Sequence, residues 1–293
     1  MFLLPAKIIR QCCLALALLG VLTLGGCSAV KFGYEQLPSL GYWWLDSQLD
    51  FSDAQTPRAR EALDRLHRWH RQRELQLYAD LLARMALLTE GTVQAQQVCQ
   101  IERDVRQRLD ALMAETVRQF GPVAAQLSAS QVRHLGRQLE LKNAKWEEQW
   151  LAGSPGQRLE RRLDKVVDRY ADFYGALSPV QTALLRSQLE QSTWPPEWGR
   201  QERLRQQREL LTALMPAASP APSPEPMEAR LLGVWERWLS PAPEAERQRW
   251  QAWIEQGCRH LAELHNSTSP EQRQRAARRL RAYEQDLRDL IRP

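Results

Sequence analysis

The chain has little of what builds sheets or interrupts helices. Glycine occurs only 14 times in 293 residues. Valine, isoleucine and threonine are sparse, and no segment alternates apolar and polar residues over a useful length, which excludes a sheet-based fold. No apolar run reaches the ~20 residues of a bilayer-spanning helix. No block of like charge exists either. The 40 Lys and Arg are interleaved with 35 Asp and Glu, so the net charge of +5 forms no basic stripe and nucleic acid is not an expected partner. G-x-S-x-G, phosphate-loop, dinucleotide and H-E-x-x-H patterns are all missing. The sequence thus predicts no enzymatic activity and no cofactor.

Acidic residues are absent from the first 34 positions, where Lys7 and Arg10 precede an almost wholly apolar run from Cys12 to Leu24. That is the charge and length pattern of an export signal. The run ends in Leu24-Gly25-Gly26-Cys27, which resembles the lipobox of bacterial lipoproteins. The resemblance implies cleavage before Cys27 and acylation of that residue. Each buried CH₂ of an acyl chain contributes ~0.8 kcal/mol, and several chains together anchor stably. The alternative is an uncleaved anchor that happens to contain a cysteine. Ser28, where an inner-membrane lipoprotein of enteric bacteria would carry Asp, implies an outer-membrane protein facing the periplasm. The expected partners are the lipid bilayer, through Cys27, and an envelope protein or unfolded clients.

Downstream, Leu, Ala, Arg, Gln and Glu dominate, all good helix formers. The expected organisation is a signal peptide (1–26), a tether with a short aromatic helix (27–51), a helical domain (52–215), a Pro-rich linker or loop (216–226) and a C-terminal helical segment (227–293) that folds back. The fold class is all-α, an elongated bundle of long antiparallel helices. Helices are predicted at about 56–88, 92–120, 128–151, 155–176, 178–191, 197–215, 227–239, 241–265 and 270–291. Gly121-Pro122 should end or kink the second. Tyr42-Trp43-Trp44 could meet lipid headgroups, but packing into the core is the favoured reading.

Four helices are predicted to begin alike: Ser52-x-x-Gln55, Ser128-x-x-Gln131, Ser178-x-x-Gln181 and Ser269-x-x-Gln272. These are capping boxes, in which the Ser hydroxyl accepts from the N3 amide and the Gln side chain returns to the Ser amide. Ser52 is the weakest case, because Thr56-Pro57 offers a competing start. The starts also resemble the L-T-x-x-Q motif of small periplasmic stress chaperones, which implies a holdase. More broadly, the lipobox, Tyr42-Trp43-Trp44-Leu45-Asp46 and the stretch from Trp69-His70-Arg71 to Leu81-Leu82 resemble an uncharacterised proteobacterial family of all-helical lipoproteins, which brings no activity with it.

Once Cys12, Cys13 and Cys27 are set aside, Cys99 and Cys258 form an even pair in an oxidising compartment, either bonded or two free thiols. His67, His70 and Glu74 share a helix face, yet no further metal ligand is evident. Trp146/Trp150, Trp194/Trp198, Trp235/Trp238 and Trp250/Trp253 put indoles on common faces. Core packing is a better expectation for them than glycan stacking. Trp194-Pro195-Pro196-Glu197-Trp198 is the expected partner-facing turn. The resulting reading is a non-enzymatic interaction or scaffold protein of the envelope. A tethered holdase comes second, and an enzyme acting on peptidoglycan or lipid third.

Overall fold

Long runs of helix formers, punctuated by Ser-Pro and Pro-Pro starts, become helices joined by short turns. The structure, a computed structural model, describes residues 26–193, 195–216, 225–240 and 243–292. No strand occurs among them. The chain order is α1 (Gly26–Glu35), α2 (Leu37–Leu49), α3 (Thr56–Trp69), a π-helical turn (His70–Glu74), α4 (Leu75–Leu88), α5 (Ala95–Ala124), α6 (Ala129–Trp150), α7 (Pro155–Tyr174), α8 (Pro179–Glu190), α9 (Pro196–Leu214), α10 (Met227–Leu239), α11 (Glu244–Asn266) and α12 (Pro270–Ile291).

Three differences from the sequence expectation are informative. The segment read as a tether is helical from Gly26 onward, with Pro38 in the first turn of α2, where its missing N–H costs nothing. Gly121-Pro122 does not end α5 at that point. Pro122 sits within its final turn, close enough to the C-terminus that one lost hydrogen bond does not stop it. The expected helix 56–88 is interrupted by the π turn, in which the Leu75 amide bonds to the His70 carbonyl.

α5 is the axis of the molecule. Its 30 residues span about 45 Å, and α3, α10 and α11 pack along it. The segment after residue 226 returns onto the earlier helices: α12 lies along α4, α11 along α5, and α10 against α5 and α9. A disulfide between Cys99 on α5 and Cys258 on α11 fixes this return, with the two Cα atoms 5.4 Å apart. The largest apolar cluster joins α2, α3, α5, α6 and α9 through Tyr42, Ala59, Ala62, Val123, Val132 and Leu214. A second joins α7, α8 and α11 through Leu163, Leu185 and Leu264. A third holds α1 to α4 and α12 through Tyr34, Leu75 and Leu290.

The Ser-x-x-Gln starts do more than cap. Gln55 Nε2 donates to the Gln126 carbonyl at 2.8 Å, and Gln131 Nε2 donates to the Asp50 carbonyl at 2.9 Å. The two amides also bond to each other. The same reciprocal pattern joins Gln181 and Gln272. Gln181 Nε2 donates to the Ser267 carbonyl and Gln272 Nε2 to the Ala176 carbonyl, both at 3.0 Å, and again the amides bond to each other. In all four, the Gln oxygen accepts from its own Ser amide. Each node therefore joins two helix starts by a local two-fold, α3 with α6 and α8 with α12. Ser52 completes only half a box, since its hydroxyl does not cap, and the N-cap of α3 is Gln55. A fifth serine box, Ser154-x-x-Gln157, starts α7 and was not singled out in the sequence. Among the described residues Gln157 is exposed and bonds only to Ser154 of its own box, so it marks what a cap alone looks like.

Candidate functional site

The space between the packed helices is not fully filled. Beside the Gln55–Gln131 node lies an open cavity of about 560 Å³, bounded by α2, α3, α5, α6, α9 and α10. Its wall is almost wholly apolar. Leu45, Leu63, Met113, Phe120, Leu210 and Leu231 contribute side chains from different helices. Gln48 and Lys142 are polar exceptions in that lining, and they satisfy each other, Lys142 Nζ donating to Gln48 Oε1 at 2.6 Å. The Lys142 ammonium also lies 5.1 Å from the Trp44 ring centre.

Two indoles of α10 reach this cavity. Trp235 Nε1–H donates to Asp110 Oδ1 at 2.9 Å. Trp238 Nε1–H is buried and has no acceptor among the described residues. An unpaired buried donor is costly, on the order of 1–3 kcal/mol, and it is the type of polar group that orients a ligand in an apolar pocket. A receptive surface of this composition can hold an apolar group carrying one hydrogen-bond acceptor.

A smaller apolar cavity of about 210 Å³ abuts the Gln181–Gln272 node, lined by Met85, Val98, Ile101, Tyr170 and Leu280 among others. At its edge His265 Nε2–H donates to the Gly91 carbonyl at 2.8 Å, which leaves Nδ1 to accept from the Tyr174 hydroxyl at 2.9 Å. Burial holds the His265 imidazole below its ordinary pKa, against the Gly91 bond and with the help of the Arg273 charge. Burial also pushes the Tyr174 phenol up to about 12, so it remains a donor.

The other residues singled out in the sequence fall as follows. Leu24 and Gly25 lie outside the described residues, while Gly26 and Cys27 begin α1. Trp194 also lies outside them. Trp198 is not a partner-facing residue. It is only 4% exposed, and the Arg249 guanidinium stacks over its ring at 4.0 Å. The second residue of a Pro-Pro helix start points inward here because α9 buries that face, and Pro195 and Pro196 are themselves half-buried. The expectation that Tyr42, Trp43 and Trp44 pack in the core holds for Tyr42 alone. Trp43 and Trp44 are 70% and 59% exposed. His67 and His70 do not converge on Glu74. Tyr34 occupies both, its carbonyl accepting from His67 Nε2 and its hydroxyl bonding His70 Nδ1. Glu74 turns instead toward Arg108, 3.5 Å away. Among the described residues no three His, Cys, Asp or Glu side chains are grouped to hold a metal, and no helix is long and apolar enough to cross a membrane.

The cavity was not legible as such. Six helices far apart in sequence form it, and the Trp44-Leu45 and Trp235/Trp238 signals carry no sign that they share one cavity. No curated protein and no solved structure matches the chain. A family model matches residues 47–222, which takes in α3 to α9 and the first node but not α10. The chain belongs to the family of unknown function DUF6279.

Proposed function

We propose that the protein is a lipid-anchored, periplasm-facing outer-membrane protein that binds an apolar segment of a partner polypeptide and does no chemistry on it. The carrying observation is the open apolar cavity lined by Trp235 and Trp238, the second of which has a buried, unpaired indole N–H. An apolar side-chain cluster would fill the space, and a backbone carbonyl would take the indole proton. Recognition of one amphipathic segment in a groove between helices is a common binding mode. The Cys27 anchor would hold the site close to the membrane, as suits a scaffold of the envelope.

A second reading, a membrane-tethered holdase, draws on the paired Gln nodes, because the repeated Ser-x-x-Gln starts resemble the L-T-x-x-Q motif. The two readings differ in the number of ligands. Photo-crosslinking in cells from position 231 in the cavity, with position 180 on the exposed face of α8 as control, separates them. One dominant adduct specific to position 231 supports the scaffold. Many unfolded envelope proteins at that position support the holdase. Equal adducts from 231 and 180 would remove the cavity from either role. A Trp238→Phe change should weaken the specific adduct several-fold, since it deletes one hydrogen bond worth about 1 kcal/mol.

A further inference from the structure

α1 and α2 carry an exposed surface of unusual composition. Phe32, Leu37, Leu40, Trp43 and Trp44 are all largely exposed. At 100° per residue the four on α2 fall within roughly 120° of arc. Ser47, also exposed, lies inside that arc. From Leu37 to Leu45 the sequence has no charged residue, although charged residues make up 26% of the chain. Cations border the surface instead: Lys31 is exposed on α1, and Lys142 lies beside Trp44.

The opposite side of this helix pair is held firmly to the body. Tyr34 is buried against Leu75 and Leu290 and rests on the His67 ring, with centroids 4.5 Å apart. Arg71 pairs with Glu35 at 2.8 Å and donates to the Leu290 carbonyl. Tyr42 bonds Thr56 and lies under the Arg60 guanidinium. The apolar face is therefore the outer side of a fixed element.

We infer that this face lies in the headgroup–acyl boundary of the bilayer, with Phe32, Leu37, Leu40, Trp43 and Trp44 as the inserted side chains. The occupant follows from continuity along the chain. The apolar run ending at Leu24 stops just before α1, and Phe32 is five residues beyond Cys27, about 7.5 Å of helix. A bilayer holding that N-terminus, through acyl chains or through the apolar run itself, is within reach of the face. Trp at the interface and flanking Lys are the expected composition of a helix lying in that plane. The inference rests on the membrane-anchored reading but not on the cavity's ligand.

The test uses the mature acylated protein reconstituted in phosphatidylethanolamine/phosphatidylglycerol vesicles. With Cys99 and Cys258 bonded and Cys27 acylated, Trp43→Cys supplies one free thiol for an environment-sensitive fluorophore. Val180→Cys is the control. The expected result is a blue-shifted emission at position 43 that lipid-borne quenchers suppress, and water-like emission at position 180. Water-like emission at 43 in the reconstituted protein overturns the inference. So does a blue shift that appears without vesicles and grows with protein concentration, which would assign the face to a second copy of the chain. The mass of the membrane-extracted wild-type protein reports acylation separately. If Cys27 proves unacylated, the same two labels are read in those vesicles on the full-length chain with Cys12, Cys13 and Cys27 replaced by Ser, and the face is judged on that result alone.

Discussion

A glutamine amide has one oxygen and two N–H donors, and a capping box uses only the oxygen. The difference between Gln157 and Gln181 shows what the remaining donors are for. Gln157 is exposed and its box is local, whereas Gln181 is 4% exposed and bonded to both the Ser267 carbonyl and Gln272. Gln181→Ala should cost about 1–3 kcal/mol by leaving buried groups unpaired, and Gln157→Ala about 0.5 kcal/mol. Urea unfolding of the two variants checks this. The caps were legible in sequence because their partners lie three residues apart. The nodes were not, because each partner lies on another helix.

His265 makes a second residue-scale prediction. Its folded pKa is depressed by burial, so below about pH 6.5 the unfolded chain takes up a proton that the folded state refuses. Stability is then lost as the pH falls from about 6.5 toward the folded value. His70 and His260, both also depressed by burial, act in the same direction. Urea midpoints should drop between pH 7.5 and 5.5, and the drop should be smaller in His265→Gln, whatever that variant's stability at neutral pH.

At the scale of elements, helix existence was readable from composition and capping, and α12 spans 270–291 as expected. What was not readable is which face each helix buries. In α2 and α9 tryptophans stand in similarly apolar or proline-rich settings, yet Trp43 is exposed and Trp198 buried. Sequence gives the period of a face, while neighbours from elsewhere in the chain decide whether it is covered. The π turn is a related case. One added residue in the winding places Glu74 inward, 3% exposed, next to Arg108, and nothing in His70–Glu74 signals it. The α5–α11 disulfide belongs to this scale. Its closed loop is long, with a sequence separation of 159, so replacing both Cys99 and Cys258 by Ser should cost about 2–4 kcal/mol. The loss is measurable as a lower urea midpoint that no longer responds to reductant.

For the whole molecule, the all-α architecture was legible, and the cavity was not, since it exists only where six helices meet. The proposed anchor, Cys27, is the second residue of α1 and is legible only as a sequence pattern. Cys27→Ala should shift the protein from the outer-membrane fraction to the soluble periplasmic fraction, as read by fractionation and immunoblot. Continued sedimentation with the outer membrane would count against acylation as the anchor.

The α5–α11 bridge also decides what happens to a broken chain. Cys99 and Cys258 lie on either side of the Pro-rich stretch 216–226. Any single backbone cut between them leaves two polypeptides that are still one covalent molecule. The C-terminal piece would keep α12 on α4 of the N-terminal piece. A nicked protein should therefore migrate as full-length under non-reducing conditions and as two fragments after reduction. Under oxidising conditions, proteolysis there would not detach the C-terminal helices from the N-terminal part; loss of the disulfide would have to come first.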